Sequence, residues 1–173
     1  MTVLVPSDAT STRWATKYAV DTYGPMYLRL SRDVYPDLYD ENTKFECGKG
    51  AIVRDGTDVT VIACGILVHK ALEAAEQMAA RGVSVRVVDM YSIKPIDRDI
   101  IVKAAKETDR IITVEEHSVI GGLGSAVADV VTEECPVPVI KIGVKDVFGH
   151  SGPAVDLLKE FGLCAENIVA VTK

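Results

Sequence analysis

The stretch RIITVEEHSVIGGLGSAVADVV, residues 110–131, decides the fold predicted for this chain. Residues 111–114 are four β-branched residues in a row, which is typical of a short strand buried on both faces of a parallel sheet. Two glutamates and a histidine follow at residues 115–117, where the carboxyl end of the strand is expected. A glycine-rich turn and valines at helical spacing come next, over 121–131. The stretch therefore predicts a unit of strand, turn and helix.

The glycines of the turn, Gly121, Gly122 and Gly124, have two interpretations. They open a G-x-G-x-x-G fingerprint, but Val127 stands where the third glycine belongs, which argues against a dinucleotide site. The start of a helix can still bind an anion. Alternatively, glycines allow a helix to pack closely on its strand or on a partner subunit. The sequence favours close packing.

Strand and helix patterns alternate through the rest of the chain. Further strands are predicted at 51–54, 58–64, 83–90 and 137–144, and helices at about 68–81, 97–105, 153–161 and 165–171. Asp55 and Gly56 lie between the first two of these strands and predict a tight hairpin, so one strand should be antiparallel. The pattern predicts an α/β fold, namely a three-layer α/β/α sandwich with a mostly parallel sheet that carries one antiparallel strand.

The first fifty residues have a different organisation. A strand at 2–5, a helix at 10–23 and a strand at 26–30 form one βαβ unit, which is too small to bury both faces of a sheet. We therefore expect residues 1–32 to be an incomplete part of a domain. Residues 33–50 mix acidic residues, proline and glycine without a period, and are predicted to be a linker. A second domain is expected over 51–173.

Composition excludes several classes of protein. The chain has 173 residues and a net charge of -6, which argues against a nucleic-acid partner. No run approaches the ~20 apolar residues of a membrane helix, and no secretory segment is evident, so a cytoplasmic location is predicted. Without a C-x-x-C pair, buried free thiols are expected rather than a zinc site. The four cysteines are Cys47, Cys64, Cys135 and Cys164.

Polar residues of the opening stretch are the first candidates for chemistry. Glu115 and His117 share one side of the strand, because successive residues point to opposite faces, and Glu116 lies on the other. A carboxylate beside an imidazole can transfer protons. The alternative, which we favour, is a polar strand end that is hydrogen-bonded to a neighbouring helix.

The other two histidines carry weaker signals. His69 falls on a helix among apolar and basic residues and is expected at the surface or facing a partner. His150 lies between Gly149 and Ser151 at a predicted helix start, where it either binds an anion or belongs to the turn.

Two arginines follow the second strand, at its expected carboxyl end. Arg29 and Arg32 can each bind a phosphate with two parallel hydrogen bonds. The alternative is an ion pair with the acidic linker, which starts at Asp33. Residue patterns alone leave both possibilities open.

Six segments together resemble the C-terminal portion of transketolase, a thiamine-diphosphate-dependent transferase of the pentose phosphate pathway. They are PSDAT at 6–10, GPMYLRLSR at 24–32, DGTDVTVIACG at 55–65, ALEAAEQMAARGVSVRVVDMYSIKPID at 71–97, VEEHSVIGGLGSAV at 114–127 and FGHSGPAVDLLKEFGL at 148–163. Deoxyxylulose-phosphate synthase and the β subunits of 2-oxoacid dehydrogenases share similar segments and remain alternatives. A non-enzymatic α/β binding or assembly module is a further alternative.

The resemblance implies a function for the complete enzyme. It implies transfer of a two-carbon ketol unit between phosphosugars, with thiamine diphosphate and Mg²⁺ bound by diphosphate- and pyrimidine-binding regions that precede residue 1. Residues 1–32 match the last βαβ of the pyrimidine-binding domain, and residues 51–173 match the C-terminal domain. Arg32 matches the arginine that contacts substrate phosphate. The chain alone is expected to be inactive and to stabilise a homodimer.

Overall fold

The computed structural model describes residues 1–172, in which strands and helices alternate. The strands are β1 Thr2–Leu4, β2 Met26–Leu28, β3 Ala51–Arg54, β4 Val59–Ala63, β5 Val85–Asp89, β6 Ser92–Lys94, β7 Ile111–Ser118 and β8 Val139–Val144. The helices are α1 Ala9–Asp21, α2 Leu67–Ala79, α3 Arg98–Glu107, α4 Leu123–Glu134, α5 Ala154–Glu160 and α6 Ala165–Val171. The predicted α/β class is confirmed.

The larger sheet has five strands in the order β3-β5-β4-β7-β8, and all neighbours are parallel except β3 and β5. Successive residues of its strands point to opposite faces and pack into two separate hydrophobic cores. Val61 packs with α2 and α6 on one face, whereas Ile62 packs with α3 and α4 on the other. The three-layer sandwich with one antiparallel strand is therefore confirmed.

The hairpin predicted between β3 and β4 is wrong. Strand β3 pairs with β5, and β4 lies on the other side of β5. Gly56 does not adopt a positive φ. A Cβ at Gly56 would lie 2.5 Å from the nitrogen of Arg86 and 2.7 Å from the oxygen of Val85, so this glycine is needed for close approach to β5.

The N-terminal unit is joined to the larger one by a short strand, β6, that the sequence does not predict. Strand β1 pairs in parallel with β2, and its other edge pairs antiparallel with β6, where Leu4 faces Ser92. The sequence pattern indicates only a turn at residues 94–97. The resulting order β2-β1-β6 attaches the partial βαβ unit to the chain that follows β5 of the larger sheet.

Residues 33–50 contain no helix or strand, and aromatic side chains hold them in place. Phe45 packs against Trp14 of α1, Tyr39 and Tyr91, with ring centroids 5.4, 4.9 and 5.3 Å away respectively. This cluster joins the segment to α1 and to the chain that follows β5. The domain boundaries at 32/33 and 50/51 stay a prediction.

Two helices depart in part from the buried faces that their apolar spacing predicts. In α2 the spacing predicts Val68, Leu72, Ala75 and Ala79 inside, and the structure buries Val68 and Ala75, leaves Leu72 partly buried and exposes Ala79. Helix α5 has no buried residue, and Val155 is 62% exposed, because only the later part of this short helix contacts the core.

Candidate functional site

The start of α4 is occupied by a carboxylate of the chain itself. Glu115, near the end of β7, is 2% exposed. Its two oxygens accept hydrogen bonds from the backbone nitrogens of Leu123 and Gly124, at 2.7 and 2.8 Å. These donors are the unpaired N–H groups that would bind an external anion at a helix N-terminus. Glu115 therefore caps α4 and takes the place of a ligand.

Glycines of this turn leave room for that carboxylate. A Cβ on Gly122 would collide with the Glu115 side chain and lie 2.8 Å from the oxygen of Ser118. A Cβ on Gly124 would lie 2.7 Å from Oγ1 of Thr113. Gly121 has open space but a φ of +72°, which favours glycine. The structure supports close packing, as the sequence favoured.

His117 does not form a proton-transfer pair with Glu115. Its Nδ1 lies 3.8 Å from Oε2 of Glu115 and 2.9 Å from the backbone oxygen of Ser118. Both Glu115 oxygens already accept backbone hydrogen bonds. The polar strand end thus has a structural role.

His69 is partly buried rather than free at the surface. Its Nε2 lies 3.0 Å from the backbone oxygen of Ser7, and its ring stacks on Tyr35 with centroids 5.5 Å apart. These contacts link α2 to the N-terminal unit and to the segment after it.

Arg29 and Arg32 have different environments. The Arg29 guanidinium donates to the backbone oxygen of Glu116, and its Nη2 lies 3.7 Å from a carboxylate oxygen of the same residue. An ion pair therefore forms at Arg29, but with β7 and not with the linker. Arg32 is exposed, and among residues 1–172 its side chain has no ion pair or hydrogen bond.

Arg32 lines a cavity of about 610 Å³ at the carboxyl ends of β2, β7 and β8. Distant segments of the chain contribute to the same walls, including Glu116 of β7 and His150 from the loop between β8 and α5. Apolar residues, including Leu158 and Phe161, also line the cavity. The tertiary structure thus brings two basic side chains that are 118 positions apart in the sequence, Arg32 and His150, to one cavity.

A second cavity, of about 570 Å³, lies between the three-stranded sheet and α4. Tyr27, Arg29, Cys64 and His117 are among its lining residues. Arg29 lines both cavities and separates them through its contact with Glu116.

Asp89 is a buried polar residue that was not among the candidates from sequence. Ser7 donates a hydrogen bond to its Oδ2, and the Tyr39 hydroxyl donates a second at 2.8 Å. Its Oδ1 has no partner among residues 1–172. Burial raises the pKa of the Asp89 carboxyl to about 7, although both hydrogen bonds act in the opposite direction. An aspartate directly after four strand residues is a signal of a polar sheet edge and could have indicated this position.

Asp8 holds the linker beside this cluster. It caps α1 through the nitrogen of Ser11 at 2.7 Å, and it accepts from the nitrogens of Leu38 and Tyr39, both at 2.9 Å. Burial acts to raise the pKa of Asp8, but hydrogen bonds from the Ser11 hydroxyl and from these three nitrogens outweigh it and lower that pKa. Asp8 and Asp89 together attach residues 38–39 to α1 and to the end of β5.

All four cysteines are free thiols, and of these only Cys64 is buried. Burial raises the pKa of the Cys64 thiol, so this side chain is neutral and acts as a small apolar residue. The other three are partly exposed, contrary to the expectation that all are buried.

Residues 1–172 contain no group of three or more His, Cys, Asp or Glu side chains that could hold a metal ion. No helix in the same part of the chain is long and apolar enough to cross a membrane.

The family of this chain follows from comparison with known proteins. Residues 48–168 match the family described as transketolase, C-terminal domain. The chain belongs to this family, and the predicted resemblance to the C-terminal portion of transketolase is confirmed.

Several curated relatives match nearly the whole chain. One is the 6-deoxy-6-sulfo-D-fructose transketolase subunit SqwH of Clostridium sp. (strain MSTE9), 41% identical over 98% of this chain and 52% of the relative. An apulose-4-phosphate transketolase subunit from Phocaeicola vulgatus is 43% identical over 97% of this chain and 54% of the relative. Transketolase of Mus musculus is 39% identical over 99% of this chain and 28% of that protein.

A solved structure described as a split gene transketolase, inactive beta4 tetramer, has the same fold. It superposes with a TM-score of 0.93 at 48% identity, over 99% of this chain and 56% of that one. The chain therefore spans about half the length of this structure and of the first two relatives.

Proposed function

We propose that this chain is the C-terminal part of a transketolase that transfers a two-carbon ketol unit between phosphosugars. Membership of the family supports this proposal, as do two relatives that are named as transketolase subunits. The chain then works with a separate or preceding portion that holds diphosphate- and pyrimidine-binding regions. Thiamine diphosphate and Mg²⁺ bind mainly to that portion, and the cofactor supplies the carbon nucleophile when bound.

In this proposal the chain contributes substrate binding and a folded support. Residues 1–32 complete the pyrimidine-binding domain, residues 33–50 are the linker, and residues 51–173 are the C-terminal domain. The complete enzyme is a cytoplasmic homodimer. The chain alone is inactive, and the relative described as an inactive beta4 tetramer is in keeping with this.

The observation that carries the substrate assignment is the unpaired guanidinium of Arg32. Arginines at a protein surface that have no anionic partner are available to bind one, and a guanidinium matches two phosphate oxygens. Arg32 follows β2 and lines the cavity of about 610 Å³, whereas Arg29 is already paired with Glu116. We therefore assign the phosphate of the sugar substrate to Arg32 and a positioning role to Arg29.

The first experiment measures ketol transfer by the chain alone and by the chain assembled with its upstream portion. We expect transfer only from the assembly. Activity of the chain alone would overturn the claim that it is catalytically incomplete, and an assembly that folds but transfers nothing would overturn the proposed reaction.

A second experiment uses Arg32→Ala in the assembled enzyme. Loss of a charged hydrogen-bond donor costs roughly 1.5–3 kcal/mol, so KM for phosphorylated sugars should rise about 10- to 150-fold. The KM for unphosphorylated sugars should change little. Arg81→Ala, at an exposed arginine just after α2, is the matched control. Equal effects of Arg32→Ala on both substrate types would contradict the phosphate role.

A further inference from the structure

His150 lies on the wall of the same cavity as Arg32, but the proposed function gives it no role. It belongs to the loop between β8 and α5, far from Arg32 in the sequence. Its side chain is 61% exposed, so solvent and small ligands reach the ring.

Two contacts fix the orientation of the imidazole ring. Its Nδ1 lies 2.7 Å from Oε1 of Glu160, the last residue of α5. The ring also packs against Phe161, with centroids 5.8 Å apart. Among residues 1–172, Nε2 has no hydrogen-bond partner. Because a carboxylate only accepts, Nδ1 donates to Glu160, and Nε2, which is open to a ligand, donates to an anion when the ring is in its imidazolium form.

Two carboxylates beside Arg32 and His150 already have basic partners, whereas Asp33, which also lines the cavity, has none among the described residues. Glu116 is paired with Arg29, and Glu160 is paired with His150. The Arg32 guanidinium has no such partner among the described residues, and even the carboxylate of the adjacent Asp33 forms no ion pair with it. An anion with three terminal oxygens, such as a phosphate monoester, can accept hydrogen bonds from two walls at once.

We infer that His150 is a specificity-determining residue that contacts the substrate phosphate together with Arg32, and that Glu160 positions its ring. This inference rests on the proposed function, because it names a second residue for the same phosphate. A purely structural role, in which His150 only ties the loop to the end of α5, predicts no response to phosphate.

Imidazole signals in the NMR spectrum of the full chain test the contact without enzyme activity. The chain has three histidines, so their ring signals can be assigned with His69, His117 and His150 variants. Inorganic phosphate is titrated at constant pH, with chloride keeping the ionic strength constant. We expect a saturable shift of the His150 signal, an at least tenfold weaker apparent affinity in Arg32→Ala, and no saturable shift of His117. The inference would be overturned if phosphate did not shift the His150 signal, or if the shift in Arg32→Ala equalled that in the unchanged chain.

Kinetics of the assembled enzyme provide the second measurement. His150→Gln should raise KM for phosphorylated sugars about 3- to 10-fold and leave kcat and the KM for unphosphorylated sugars nearly unchanged. His117→Gln, at an exposed histidine in the other cavity, is the control. A drop in kcat with no change in KM would point to a structural role instead.

The two measurements separate this inference from the proposed function. If phosphate shifts the His150 signal through Arg32 but the assembly transfers no ketol unit, the phosphate contact stands and the proposed reaction fails. If Arg32→Ala raises KM for phosphorylated sugars while His150 is silent in both experiments, the reaction stands and the role of His150 is wrong.

Discussion

Replacement of Gly122 by alanine tests the central claim that the glycine-rich turn holds a buried carboxylate. The backbone of Gly122 is at φ −95°, which suits alanine, so the substitution adds only one methyl group. That methyl group would collide with the Glu115 side chain and lie 2.8 Å from the oxygen of Ser118. Glu115 must then leave the nitrogens of Leu123 and Gly124.

The cost follows from the two hydrogen bonds that are lost, at 2.7 and 2.8 Å. Each hydrogen bond to a charged group contributes roughly 1.5–3 kcal/mol, so losing both costs about 3–6 kcal/mol before relaxation. A domain is stable by only about 5–15 kcal/mol, so the loss is easily measured. Urea unfolding followed by circular dichroism, at fixed protein concentration, gives the free energy of unfolding.

Gly121→Ala is the matched control, since the neighbouring glycine has open space but a positive φ of +72°. A residue with a Cβ in that conformation costs about 1–2 kcal/mol. We therefore expect Gly122→Ala to cost at least about 1 kcal/mol more than Gly121→Ala. In a double-mutant cycle with Glu115→Gln, the effects should be non-additive by about 1 kcal/mol or more. Equal losses at the two glycines, or strict additivity with Glu115→Gln, would refute the explanation.

Three further predictions concern stability. The pKa of Asp89 is raised to about 7, so the folded chain binds this proton more tightly than the unfolded chain does. The protonated carboxyl therefore contributes its full stability below about pH 4, and this contribution is lost as the pH rises through 7. Asp89→Asn should flatten the fall in free energy of unfolding between about pH 4 and 7, and an unchanged slope would contradict this. Gly56→Ala should cost about 1–3 kcal/mol in urea unfolding, because the added methyl group meets the backbone of Val85, whereas a cost near zero would show that close approach to β5 is not required. Thr113→Val removes a buried hydroxyl that has no partner among residues 1–172, and the free energy of unfolding should stay within about 1 kcal/mol or rise; a loss of about 2 kcal/mol would imply a hydrogen bond at this hydroxyl.

Elements that depend on local pattern were predicted well from the sequence. The β-branched run at 111–114 lies within β7, and Asp97, an aspartate directly before a helical pattern, caps α3 through the nitrogen of Ile100. Both signals come from residues that are close in the chain, because strand periodicity and helix capping involve neighbours only. The α/β class follows from such local signals, and the resemblance to transketolase from the motifs.

Pairing between distant segments was not predictable in the same way. Asp55 and Gly56 carry the local signature of a hairpin turn, but the requirement for glycine at position 56 comes from Val85 in β5. Local periodicity likewise does not predict strand β6. This strand forms because it pairs with β1, which lies far earlier in the chain, and Leu4 faces Ser92 in that pairing. The residues around a position do not indicate which remote strand will pack or pair against it.

For the candidate site, too, the sequence identifies the residues, whereas the tertiary structure determines their partners. The sequence by itself determined the fold class, the family and the candidates Arg29, Arg32 and His150. Only the tertiary structure decided that Arg29 is paired with Glu116, that Arg32 is unpaired among the described residues, and that Arg32 and His150 line one cavity. It also placed Glu115 on the start of α4, where an external anion would otherwise bind. The physical reason is that the partner of a charged side chain is set by packing between distant segments, whereas strand and helix patterns are set by neighbouring residues.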